Sequence, residues 1–410
     1  MTASVLGGLD AAAGAPAEPV GRAADRLSLA FVCSGDPMNV LTWSGTPLYM
    51  LTALQKEFDV KLVVRRPWAP WFMFARRSIR RLTRGAIDIY WSPTVSAMAG
   101  AGAIRQIAKG GCDVTFACAV TPLCAHLTRH GPTVFVSDAT LVSMIDYYPR
   151  LKALAPWLKK RAAGLETRCI QTATIAHFPS VWATQSAAHD HGGSADRIVQ
   201  LPWGANLVAT EYTAPERRPK DDWRLLFIGA DWPRKGGDIA LDAVTEMRRR
   251  GHAVHLDVVG SGPAIPRQVE GVTFHGFLDK NVPADNERLQ ALFKSAHVFF
   301  LPTQFEALGI VFAESASFAL PSVSYRTGGV PSIVEDGETG VLLDEGASAS
   351  QFADALIALL SDRERYVQMS NAALEASRTR LNWAAWAAGI RDVVEQRLGV
   401  RRDDGQRKVA

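Results

Sequence analysis

No run of about 18 consecutive apolar side chains occurs in the 410 residues, which argues against a membrane-spanning helix and leaves peripheral contact with a lipid surface. Cysteine is scarce. Cys33, Cys112, Cys118, Cys124 and Cys169 are odd in number, fall in the first half, and show neither CxxC spacing nor a neighbouring His pair. Such a set suits reduced core residues in a cytoplasmic protein, not a disulfide framework or a zinc ribbon. The Ala-, Gly- and Pro-rich start lacks the apolar centre of a signal peptide, because Asp10, Glu18 and Asp25 interrupt it, so residues 1–26 are expected to form a tail. Gly260-Ser261-Gly262-Pro263-Ala264-Ile265 lacks the third Gly of a dinucleotide fingerprint, which disfavours a dehydrogenase.

What is present fits a soluble α/β protein: 48% hydrophobic and 21% charged residues, with a length that favours two domains. Near-continuous apolar runs at residues 27–33, 60–64, 133–136 and 174–177, separated by helical stretches such as 48–58, predict strands buried on both faces of a parallel sheet. Residues 209–222 are polar and proline-bearing and predict a linker. Beyond them the rhythm restarts, with strands at 224–228, 254–259, 272–274, 297–301 and 321–325 and a helix over 238–249. The expectation is two Rossmann-like doubly wound domains, 27–208 and 223–375, facing across a cleft. Residues 378–398 read as one long helix, part of a segment 376–398 that packs back on the first domain, before a charged tail at 399–410.

The net charge is only +4, yet residues 65–84 carry seven arginines (Arg65, Arg66, Arg76, Arg77, Arg80, Arg81, Arg84) and no acid, interleaved with Trp68, Trp71, Phe72, Met73 and Phe74. Two readings stay open: a solvated basic helix beside core aromatics, or a patch whose arginines and aromatics meet an anionic membrane. Without an accompanying motif, nucleic acid is not an expected partner. His189-Asp190-His191, next to Gly192-Gly193, reads as a surface loop rather than a ligand pair.

Glu306 and Glu314 bracket a segment that directly follows an apolar strand ending at Leu301-Pro302, with a helix expected over 309–319. Unpaired N–H groups and the positive end of a helix dipole favour phosphate there, and flanking acids can accept hydrogen bonds from sugar hydroxyls. As a bare spacing, two acids at a helix start are common. Their surroundings add four more ordered segments: Phe227-Ile228-Gly229 with Arg234-Lys235-Gly236-Gly237; Val258-Val259-Gly260-Ser261-Gly262; residues 272–278 (VTFHGFL); and Gly328-Gly329-Val330-Pro331 followed by Glu335-Asp336-Gly337-Glu338-Thr339-Gly340. Together these resemble glycosyltransferase family 4, whose members have the two-domain GT-B architecture and a Glu-seven-Glu motif.

The resemblance implies a retaining hexosyltransferase of the kind that serves polysaccharide biosynthesis, using a UDP- or GDP-sugar as donor and no other cofactor, with a glycan, lipid-linked or small-molecule acceptor. It implies that Lys235, helped by Arg234, neutralises the donor diphosphate, that Glu306 binds the transferred sugar, and that Glu314 accepts the ribose hydroxyls. Backbone at Leu308, Gly309 and Ile310 meets the phosphates, Phe277 and Leu278 frame the base, and Gly45, Gly229 and Gly260 allow close approach. Asp138, where many members have His, orients the acceptor or sugar, or else caps the next helix. One departure is Ala230, which stands where the family commonly has Arg. No Asp-x-Asp for a diphosphate-bound metal occurs, so fixed cations are expected in its place and no metal site is assigned. The expected location is the cytoplasm, at the inner face of the membrane if residues 65–84 bind lipid. The rivals are a catalytically silent nucleotide-sugar-binding protein of the same fold and a GT-B isomerase or phosphorylase.

Overall fold

The computed structural model describes residues 26–39, 42–65, 67–145, 147–209, 222–262 and 269–400. Nearly all of both expected tails and of the expected linker lie outside them. The first sheet contains β1 (Ser28–Cys33), β2 (Asp59–Val64), β3 (Val114–Cys118), β4 (Thr133–Val136), β5 (Ile175–Phe178) and β6 (Ile198–Gln200). They pair in parallel in the order β2-β1-β3-β4-β5-β6. The second contains β7 (Asp222–Gly229), β8 (Ala253–Gly260), β9 (Val272–Gly276), β10 (Val298–Phe300), β11 (Ser322–Tyr325) and β12 (Gly340–Leu343), parallel in the order β9-β8-β7-β10-β11-β12.

The apolar runs become central strands because helices cover both faces: every residue of β1, β3, β4, β5 and β11 is buried. The helix Gly237–Arg249 shows the complementary period, burying Ala240, Leu241, Ala243, Val244 and Met247 on one face and ending on Arg248 and Arg249, which complement its dipole. Three strands that the apolar runs do not announce are β3, β6 and β12. They are three to five residues long.

The last helix departs from the expected single rod over 378–398. Helix Arg363–Thr379 ends, and a new helix Trp383–Leu398 starts at Asn382, whose side chain accepts from Ala385 N at 2.8 Å. This break turns Trp383 and Trp386 onto the first domain. Trp386 and Trp203 both donate from Nε1 to His177 Nε2, at 2.9 and 3.1 Å, while Arg391 pairs with Glu57.

Strand order reverses direction between β1 and β3 in one sheet and between β7 and β10 in the other. In open parallel sheets the crevice beyond the carboxyl ends at such a point is where ligands bind. Both crevices bear on the same region: residues 42–45 lie after β1, Gly229 closes β7, and residues 301–309 follow β10.

Candidate active site

Three turns bring the second domain's groups together. After β7 the chain runs through Asp231 to Gly236, with Lys235 N bonded to Asp231 O at 2.9 Å. After β10 it runs through residues 301–309 into helix Ile310–Ser317. Lys235 Nζ sits on Glu306 Oε2, both side chains only 11% exposed. Arg234 Nη1 donates to Phe305 O at 2.8 Å and lies 3.5 Å from Glu306 Oε2. The expected trio of Arg234, Lys235 and Glu306 is thus one cluster. At the end of β8, Gly260 has φ +105°, and a Cβ on it would stand 2.2 Å from Gly229 O, so only glycine lets these two strand ends meet.

A cavity of about 450 Å³ lies between the domains. Its walls include Gly45 and Tyr49 from the first, and Gly229, Gly260, Phe277 and Leu278 from the second. Lys235, Glu306 and Glu314 are not in its lining. Glu314, 2% exposed, reaches it through Lys280, which lines the cavity and holds Glu314 Oε1 with its Nζ. The helix expected over 309–319 is the shorter Ile310–Ser317, begun by Gly309 without any side-chain cap, which leaves the first-turn N–H groups near Leu308, Gly309 and Ile310 uncapped by side chains.

Asp138 stands apart, in a second cavity of about 260 Å³ in the first domain, together with Trp43, Trp91, Arg80 and Glu166. It is not a helix cap. The helix Leu141–Ile145 is capped by Thr140 Oγ1, which accepts from Ser143 N at 3.2 Å, and by Glu166 Oε2, which accepts from Leu141 N at 2.5 Å. Asp138 Oδ2 instead accepts from Trp43 Nε1 at 3.3 Å. Burial raises its carboxyl to about 6, with the Glu306 charge adding to the shift and the Trp43 and backbone N–H groups opposing it. Burial also lifts Glu166, to about 8, against the Leu141 N–H that opposes the shift. His191, expected on a surface loop, is buried instead, its Nε2 3.4 Å from Glu166 Oε2.

Trp43 lines the second cavity and Ser44 and Gly45 the first, and these three successive residues stand at φ 48°, 57° and 81°. Left-handed backbone costs about 1–2 kcal/mol for each non-Gly residue. Asn206 holds the turn: its Nδ2 donates to Ser44 O at 2.9 Å, and its Oδ1 accepts from Trp383 Nε1 at 3.2 Å. Asn206 and Lys280 are site residues that spacing alone misses, since each acts on a group far away in the chain.

Residues 222–362 match the family model described as glycosyl transferases group 1. Over these residues the second domain is similar to the group 1 glycosyl transferases. Among curated proteins, the D-inositol 3-phosphate glycosyltransferase of Corynebacterium efficiens is 29% identical over 237 residues, 53% of this chain and 55% of that protein. The GDP-mannose-dependent alpha-(1-6)-phosphatidylinositol monomannoside mannosyltransferase of Mycolicibacterium smegmatis is 32% identical over 243 residues, 56% of this chain and 61% of its own. The match therefore spans little more than half the length of these relatives. In fold, sucrose-phosphate synthase of Thermosynechococcus elongatus superposes with TM-score 0.65 at 16% identity, covering 92% of this chain and all of that one. HepE of Anabaena, solved with UDP and glucose, gives 0.61 at 16% identity over 90% of this chain and 100% of its own. The two-domain GT-B architecture is common to all three.

Proposed function

We propose that the chain is a retaining glycosyltransferase that moves a hexose-type sugar from a UDP- or GDP-sugar to a glycan, lipid-linked or small-molecule acceptor. The observation that carries this reading is the Arg234–Lys235–Glu306 cluster at the switch point of the second sheet, beside a cavity that both domains line. In this reading the base lies against Phe277 and Leu278, Glu314 takes the ribose hydroxyls, and the diphosphate meets Lys235, Arg234 and backbone at Leu308, Gly309 and Ile310. Close approach of backbone at Gly45, Gly229 and Gly260 leaves room for it.

Transfer breaks the bond between the anomeric carbon and the leaving phosphate oxygen and forms one to the acceptor oxygen on the same face. The acceptor proton passes to the departing phosphate. Glu306 holds a sugar hydroxyl, and Asp138 orients the acceptor in the second cavity. Fixed cations meet the growing charge, so no metal is required, and EDTA is expected to leave turnover unchanged.

The acceptor side adjoins the helix Pro70–Leu82, whose Arg76 and Arg80 line the second cavity. Trp71, Met73, Phe74 and Leu82 are exposed on this segment beside Arg77, Arg81 and Arg84. These residues suit peripheral contact with an anionic leaflet, which would place the enzyme at the inner face of a membrane. Liposome flotation at low salt tests that contact.

The test of the whole is a panel of UDP-, GDP- and ADP-sugars in thermal melts, followed by an acceptor screen. A donor at 100 times its Kd stabilises by about 2.7 kcal/mol. If no nucleotide sugar shifts the melt, the reading fails; stabilisation without turnover would mark a silent binding protein.

A further inference from the structure

The loop that carries Glu306 is held from two sides. Its carbonyls are taken up within the second domain: Phe305 O accepts from Arg234 Nη1 at 2.8 Å, and Glu306 O accepts from Gly329 N at 3.1 Å. Its N–H groups point the other way. Glu306 N donates to the hydroxyl of Tyr147 at 3.3 Å and Ala307 N to that of Tyr148 at 2.9 Å, both from the first domain and both 159 residues away in the chain. The Tyr147 hydroxyl also bonds Thr327 Oγ1, and its ring stands edge-on to Phe305 at 5.1 Å. Thr327 in turn contacts Glu345 Oε1 at 2.7 Å, so with its proton on that carboxylate the Tyr147 O–H donates to Thr327 and keeps a lone pair for Glu306 N–H. Arg234 lies over the Tyr148 ring at 5.7 Å, adding a cation–π contact across the same boundary.

We infer that Tyr147 and Tyr148 are positioning residues: their hydroxyls fix the Glu306 loop only while the two domains are together, and so couple closure of the cleft to placement of Glu306 and Arg234. The inference rests on the transferase reading for what Glu306 does, but not for the contacts themselves. When the domains part, the N–H groups of Glu306 and Ala307 lose their acceptors to water, and the carboxylate is held by its ion pairs alone. With the domains together, both ends of the loop are anchored. Closure that completes a catalytic constellation limits reaction to the water-excluded state.

Two measurements on the full chain test this with Tyr147→Phe, Tyr148→Phe and the double variant, each of which keeps the ring. Hydrogen exchange of the amides of Glu306 and Ala307 is expected to quicken about fivefold or more where the hydroxyl is lost, in line with one net hydrogen bond. With UDP-glucose and GDP-mannose as probes, kcat is expected to fall about five- to tenfold per hydroxyl while the donor KM stays within about twofold, and sugar hydrolysis to rise relative to transfer. Unchanged exchange overturns the inference. So does a KM that rises in step with a falling kcat/KM at constant kcat, which would make the tyrosines part of general donor binding. A wild-type chain that no sugar of the UDP-, GDP- and ADP-sugar panel stabilises sinks the transferase reading, and the exchange result still decides whether the two tyrosines hold the Glu306 loop.

Discussion

Replacing Lys235 by Met keeps the methylene stem that packs on Gly229 and removes only the ammonium. Among Arg234, Lys235 and Glu306 there are two cations and one anion, so the substitution takes this cluster from a net positive charge to neutrality. A unit charge about 4 Å from a leaving phosphate oxygen is worth about 4 kcal/mol at an effective dielectric near 20. Loss of one such preorganised group costs about 10²–10³ in kcat in characterised enzymes, the same range. The stability cost is smaller, because Glu306 still has Arg234 at 3.5 Å and does not become an isolated buried charge. About 1–2 kcal/mol is expected, which lowers the melting temperature by roughly 2–8 °C for a domain of this size. Release of nucleoside diphosphate from UDP-glucose and GDP-mannose, with a melt on the same preparation, measures both. Turnover of the variant within about tenfold of wild type, with donor still bound, would refute the assignment of the diphosphate to Lys235.

Gly236 sits at φ +73° with its Cβ direction 1.9 Å from Pro302 O, so Gly236→Ala should cost about 3 kcal/mol or more and pull Lys235 out of place; a melt within 2 °C of wild type would count against that packing. For Asp138, whose carboxyl is raised to about 6, kcat/KM should fall as pH drops through 6, and Asp138→Asn should remove that limb; an unchanged limb would point to another group. His177 bears on stability. Burial lowers it to about 4 against 6.5 in the unfolded chain, so its contribution is complete above 6.5 and is lost as pH falls from 6.5 towards 4. About 2 kcal/mol should go between pH 7 and 5, read as the difference in pH dependence of urea unfolding between wild type and His177→Gln; equal slopes would mean the two indole donors do not hold it neutral.

The parts of the site legible in the sequence are those built locally. Glu306 and Glu314 follow one strand–loop–helix unit, and Arg234-Lys235-Gly236-Gly237 another, so their roles travel with short motifs whose context is itself sequential. The unreadable parts are made by contact at a distance. Nothing near Lys280 says that it will hold Glu314, and nothing near Tyr147 and Tyr148 says that they will meet the Glu306 loop from the other domain. Asp138 lies between these cases: its place after a buried strand raises two roles, and only the position of Thr140 and Glu166 removes the capping one. The segment at 65–84 shows a third limit. Trp68 and Phe72 are buried while Trp71 and Phe74 are exposed, a partition set by where helix Pro70–Leu82 lies against Tyr90, not by composition.

The contacts between the domains follow a division of labour that neither half shows alone. The cations and acids proposed for the donor, Arg234, Lys235, Glu306 and Glu314, all come from the second domain. What fixes their surroundings comes largely from the first and from the final helix: Tyr147 and Tyr148 on the Glu306 loop, and Asn206, tied to Trp383, on the strained turn at Trp43, Ser44 and Gly45. Strain in that turn persists only while such surrounding bonds overdetermine it. The break at Asn382, which turns Trp383 towards Asn206, is therefore more than a helix end: it links the last helix to a turn that lends residues to both cavities. A change at Trp383 should consequently disturb the turn at 43–45 before it unfolds either sheet, since the indole contacts Asn206 directly while both sheets keep their own buried strands.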